Sequence, residues 1–238
     1  MSNDPPPQPH DPIEEIFEEV FWVHGSMHMG PGLRLNRNMV VLRQAGELTL
    51  VNAVRLAPEG EAALEALGTV KHVMRLGQFH GLDDRYYVDR YGAEFWCQDG
   101  SDRYPEPKPT QMLSENAKLP VDGAELFVYR DTRLPECAIL LNRHGGLLIT
   151  CDSLQHWTDW SYCSPLARLV MGLLGFRRTT FIGPPWRKIM TPKGGSLRPD
   201  FDRLLELDFD HHIGAHGTPC RGGAHQRVEA AVARALAK

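Results

Sequence analysis

Short apolar runs fall into two clusters separated by helical segments, and this pattern constrains the fold more than any other feature of the chain. In the first half, VFWVHG (20–25), NMVVLRQ (38–44) and ELTLVNA (47–53) read as strands, the last two closed into a hairpin at Ala45-Gly46. EGEAALEALG (59–68) has the spacing of an amphipathic helix that stops on Gly68. KHVMRLG (71–77) reads as a buried strand, followed by a short helix over 84–91 and the strand AEFWC (93–97). A polar, Pro-rich loop spans 98–120. Beyond it, ELFVYR (125–130), ECAILLNR (136–143) and GLLITCD (146–152) are three more strands, the last two turning at His144-Gly145. Helices are expected over 164–175, 200–207 and 223–236, with a short strand at 210–216. Two strand groups divided by helices predict an α+β chain with two sheets packed together and helices outside.

A chain of 238 residues can bury a sizeable core as one domain, expected here over 13–238 behind a disordered Pro-rich lead at 1–12. That lead lacks the apolar core of a signal peptide. A net charge of −4, with no basic run interleaved with aromatics, argues against nucleic acid as a partner. Five widely spaced cysteines without a CxxC pair point to reduced thiols and a cytoplasmic protein. LARLVMGLLGF (166–176) is too short and interrupted to span a bilayer, so no integral membrane segment is expected. The helix at 164–176 reads instead as a buried helix or a contact between copies of the chain, with a membrane-surface role as a further reading.

Three loops at strand ends hold the chemistry: QFHGLDDRYY (78–87), TCDSLQHW (150–157) and IGAHGTPC (213–220). Taken singly, Asp152 reads as a helix N-cap and His216 as a turn histidine. His156 lies one helical turn after Asp152 and would share its pocket if a helix began there. His212 is in phase with His216 on an alternating strand, where packing is the simpler role.

In this order the three loops resemble the metallo-β-lactamase-fold hydrolases. The H-x-H-x-D-H motif of that family aligns with His80-Gly81-Leu82-Asp83-Asp84-Arg85, its bridging aspartate with Asp152 in LLITCDSL, and its last histidine with His216 in IGAHG. RLNRNMVVLRQAGELTLVNAV is similar to the family's opening hairpin, and FDRLLELDFDHHIGAHGTPCRGGAHQRVEAAVARAL to its C-terminal helix, strand, histidine loop and helix. The resemblance implies a four-layer αββα sandwich. It also implies metal-activated water attacking an ester, amide, thioester or phosphoester of an unidentified small-molecule substrate. His80 would then be a metal-1 ligand, Asp152 the bridge, and Asp84 and His216 metal-2 ligands, with Asp84 also orienting the water.

The motif is incomplete. Leu82 and Arg85 stand where two histidines belong, and Thr132–Cys137, where a third should fall, contains none. His80, Asp84, Asp152 and His216 suffice for one divalent metal, zinc first, iron or manganese next. Asp83 would replace Asp84 if the loop register shifts. Arg85 would fill the space of the absent second metal and pair with Asp84 or a substrate anion. The alternative is a degenerate protein that holds no metal and binds a small molecule or a protein partner without hydrolysis.

Overall fold

The computed structural model describes residues 5–237. The first half builds a seven-stranded sheet in chain order. Its strands are β1 (Glu14–Phe17), β2 (Val20–Gly30), β3 (Leu33–Gln44), β4 (Glu47–Val51), β5 (Thr69–Met74), β6 (Glu94–Cys97) and β7 (Gln111–Met112). Helices α1 (Pro58–Leu67) and α2 (Asp84–Tyr91) supply the two crossovers that make β4, β5 and β6 parallel. At the β3–β4 hairpin both Ala45 and Gly46 have positive φ, the pair of conformations a two-residue hairpin turn requires.

The second half runs β8 (Ala124–Val128), β9 (Cys137–Leu141), β10 (Leu147–Ile149), β11 (Leu154–His156), α3 (Pro165–Leu173), β12 (Thr180–Ile182), α4 (Pro184–Met190), α5 (Arg198–Leu204), β13 (His211–Ile213), β14 (Cys220–Arg221) and α6 (Ala224–Ala235). Its main sheet has the order β14-β13-β10-β9-β8, with β10 and β13 parallel; β11 and β12 form a separate pair.

The layering follows from strand alternation. Val40 and Leu42 of β3 point inward, to a core shared with Ile139, Leu141, Leu147 and Ile149 of the second sheet. Met39 and Val41 point outward, packing with Leu64 of α1 and Tyr87 of α2. On the other side, Leu140 and Leu148 meet Trp186 of α4, Phe201 of α5 and Val228 of α6. Helix, sheet, sheet, helix is the four-layer αββα arrangement expected from the resemblance.

Residues 5–12 differ from the disordered lead expected there; residues 1–4 of that lead lie outside the described residues. His10 Nε2 accepts from the Ala57 amide at 2.8 Å, Ser26 Oγ donates to the Pro9 carbonyl at 2.8 Å, and His24 pairs with Asp11. The segment is tied down by polar contacts that its Pro-rich composition does not announce. All five cysteines are free and buried. Among the described residues no helix is long and apolar enough to cross a membrane.

Candidate metal centre

Parallel pairing of β10 with β13 makes both strands end at the same edge of the second sheet, and the loop after β5 reaches the same point from the first. Those ends deliver Asp152, His216 and His80. His80 Nε2 lies 3.1 Å from His216 Nε2 and 3.4 Å from Asp152 Oδ1, and His216 Nε2 lies 3.2 Å from Asp152 Oδ1. Two residues assigned by sequence to different metals therefore meet around a single point.

The tautomers explain why this triangle fits a cation. His216 Nδ1 sits 2.5 Å from the Asn36 carbonyl, which can only accept, so Nδ1 carries a proton. In the neutral ring Nε2 then presents a lone pair to Asp152 Oδ1, itself an acceptor. His80 Nε2 can donate to one neighbour but not both, and its Nδ1 is buried without a partner. A proton on His216 would relieve one contact; a cation at the centre relieves all three. Ligand atoms about 2.0–2.1 Å from a tetrahedral zinc lie about 3.3–3.4 Å apart, close to the three observed separations.

The same proximity shifts the acid. Burial alone would raise the Asp152 carboxyl, whereas His80 and His216, where they carry a proton toward it, hold it well below the usual carboxylate range. Burial lowers His80, against the pull of Asp152.

Supports come from the first sheet. Asn36 and Asn38 lie two apart on β3 and share a face. The Asn36 side chain accepts from the Gly217 amide, and Asn38 Nδ2 donates to the Gly214 and Gly217 carbonyls at 3.0 and 2.9 Å. Asn52 accepts from the Leu76 amide and donates to the Thr150 carbonyl, joining the loops that carry His80 and Asp152. The buried pair in LNRNM was the available signal for this clamp. Gly217 has φ +86°, and a Cβ there would overlap the His156 carbonyl oxygen. Gly217→Ala is expected to cost about 2 kcal/mol or more in urea unfolding, because it combines a disfavoured φ with a backbone clash.

Other expected residues lie elsewhere. Asp84 is fully buried and bound to Arg75 Nε at 2.8 Å, with its Oδ1 unpartnered. Asp83 accepts from Arg37 Nη1 at 2.9 Å and from the Arg55 amide. Arg37 also donates to the His80 carbonyl at 3.2 Å, so the two acids fix the loop through arginines and do not join the triangle. Arg85 is exposed on α2 and pairs with Asp89 one turn on, while Asp84 is held by Arg75 instead. His156 lies on strand β11, not on a helix, and bonds Thr180 at 2.8 Å, so the one-turn spacing from Asp152 never arises. His212 is buried against Thr150 at 2.9 Å, in the packing role.

Burial pushes Asp84 up to about 6, against the lowering effect of Arg75 and Arg37. The folded state therefore binds more protons than the unfolded between the ordinary value and about pH 6, and Asp84 makes stability fall as pH rises through that window. Asp84→Asn is expected to flatten this part of a pH series of denaturation midpoints.

Two further groups adjoin the centre. Cys151 Sγ, with His80 and Asp152, completes a set of ligand atoms that lie mutually within 4.8 Å. Glu136 is fully buried and accepts from the Ser153 amide at 2.9 Å and from Trp186 Nε1 at 2.6 Å. Burial, reinforced by Asp152, pushes it up to about 8. It falls inside the 132–137 stretch that lacks the expected histidine, and a search of that stretch for imidazole alone passes over it. The centre opens into a cavity of about 330 Å³ whose lining includes Met27, Leu35, Phe79, Arg103, Gln155 and Trp186.

This four-layer sandwich, with the loops of His80, Asp152 and His216 gathered at one edge between its sheets, is the metallo-β-lactamase fold. Solved structures of that fold superpose over nearly the whole chain. The DIM-1 metallo-β-lactamase matches with TM-score 0.64 and 11% identity, over 96% of this chain and 99% of that one. FIM-1 from Pseudomonas aeruginosa, solved in its mono-zinc form, matches with TM-score 0.64 and 12% identity over 98% and 99%. A metallo-β-lactamase from Erythrobacter litoralis matches with TM-score 0.59 and 9% identity over 94% of each chain. No sequence-family profile and no curated protein matches the chain.

Proposed function

We propose that the chain is a hydrolase with one divalent metal held by His80, Asp152 and His216. The meeting of two imidazole nitrogens and one carboxylate oxygen within 3.4 Å carries this reading. Zinc suits the donor set best, and iron or manganese would accept it. Bound there, a metal would supply Lewis acidity, lowering the pKa of a water and polarising an ester, amide or phosphoester. The mono-zinc form of FIM-1 supports a one-metal reading on this fold.

The chain's own residues do the rest. Arg103, stacked over Phe79, offers a fixed positive charge to a substrate anion, and Gln155 offers an amide donor. Met27, Leu35 and Phe176 accept an apolar body. Asp84 and Arg85 have no part in this scheme. Five buried free thiols favour a reducing compartment such as the cytoplasm.

A non-hydrolytic binding protein is the second reading, favoured by the arginine pairs that withhold Asp83 and Asp84 from any second metal. A panel of generic esters and phosphodiesters, assayed after reconstitution with zinc, iron or manganese, separates the two. Turnover that His216→Ala removes supports the hydrolase; no turnover with any metal supports the binding protein.

A further inference from the structure

Helix α3 turns a hydrophobic stripe to solvent. Leu166, Leu169, Val170 and Leu173 follow the i, i+3, i+4, i+7 spacing of one helix face, and Leu173 is 81% exposed. Ala167 and Met171 on the opposite face are buried with Trp157 and Leu35, so the helix is already seated and the stripe is surplus to the core. Leu174 continues the stripe, and Gly32 at the β2–β3 tip lies beside Leu166, so exposed Met29 and the cavity mouth adjoin it.

Charge identifies what covers this face. Residues 160–199 contain Arg168, Arg177, Arg178, Arg187, Lys188, Lys193 and Arg198 and not one acidic residue, in a chain whose net charge is −4. Arg168, Arg177, Arg178 and Lys188 are exposed, and Lys188 shares a groove with Leu174. Arg198 pairs with Asp202, but Arg168, Arg177, Arg178 and Lys188 form no ion pair among the described residues. Exposed leucines flanked by these cations suit an interface that is apolar below and anionic at its surface.

The geometry points to an anionic phospholipid bilayer as the partner of this face, with α3 lying in the headgroup plane and the cavity mouth beside it. This holds whether or not the centre hydrolyses anything. Neighbouring acidic protein would match the cations but not the leucines, and a second copy would bring its own cations against them.

Cosedimentation with vesicles tests it, using phosphatidylcholine alone and phosphatidylcholine mixed with phosphatidylserine. The full chain is expected to sediment with the mixed vesicles, less so at high salt, and to stay in solution with phosphatidylcholine alone. Leu169→Glu with Leu173→Glu, and separately Arg177→Glu with Arg178→Glu, are each expected to weaken binding about tenfold or more. All four side chains are exposed, and unchanged thermal unfolding of the variants verifies that they fold. Equal binding to neutral vesicles, no binding to either, or unaltered binding by both variants would overturn the proposal. So would a dimer in sedimentation velocity that Leu169→Glu with Leu173→Glu splits, since a second copy would then own the face.

Discussion

Replacing Asp152 with alanine is expected to weaken metal binding by at least about 100-fold, a floor set by what the loss of mere supporting contacts costs in metal sites. Asp152 is the one anionic member of the triangle, and its Oδ1 lies within 3.4 Å of both imidazole nitrogens. Without it His80 and His216 face each other 3.1 Å apart with no charge to balance a cation. Asp152→Asn keeps the shape and loses the charge, so it should also bind weakly. Competition against a chromophoric chelator measures both. Wild-type affinity in either variant would mean that the ligands lie elsewhere.

Arg75→Met is expected to cost about 3–5 kcal/mol of stability at neutral pH, the penalty for leaving a buried charge without its partner. Asp84 is fully buried, one of its oxygens already lacks a partner, and Arg75 supplies its ion pair. The loss should shrink at acid pH, where Asp84 is protonated, and urea unfolding at two pH values reads both parts. Arg85→Ala is the surface control: an exposed i, i+4 pair with Asp89 should contribute less than about 1 kcal/mol. Equal losses for the two arginines would remove Arg75 from its place under the loop.

The contrast between Arg75 and Arg85 marks where the sequence was legible. Near-continuous apolar runs in NMVVLRQ and ELTLV report burial directly, because a strand with two packed faces must be apolar at nearly every position. Both strands formed, β3 starting earlier at Leu33 and β4 stopping at Val51. His80, Asp152 and His216 are picked out by the order in which their three loops resemble the family's motifs, since each alone reads as an ordinary cap or turn residue. Partnerships between arginines and the acids of the 78–87 loop were not legible. Nothing in the sequence links Arg37 and Arg75 to Asp83 and Asp84; only the fold brings them together. A motif alignment therefore offered Asp84 as a ligand when a guanidinium already held it. Strand β11 escaped notice for a related reason: the three residues LQH carry no pattern of their own and are ordered by pairing with β12. Glu136 was missed because its strand looked apolar and its burial rests on Ser153 and Trp186, distant in sequence.

Metal content of protein purified without an affinity tag tests the central claim most directly, read by elemental analysis beside the thermal midpoint before and after chelation. About one equivalent of zinc, iron or manganese per chain is expected, with a midpoint that falls on chelation and returns on adding the metal back. No metal, and no change in midpoint after dialysis against each of the three ions, would contradict a metal centre at His80, Asp152 and His216.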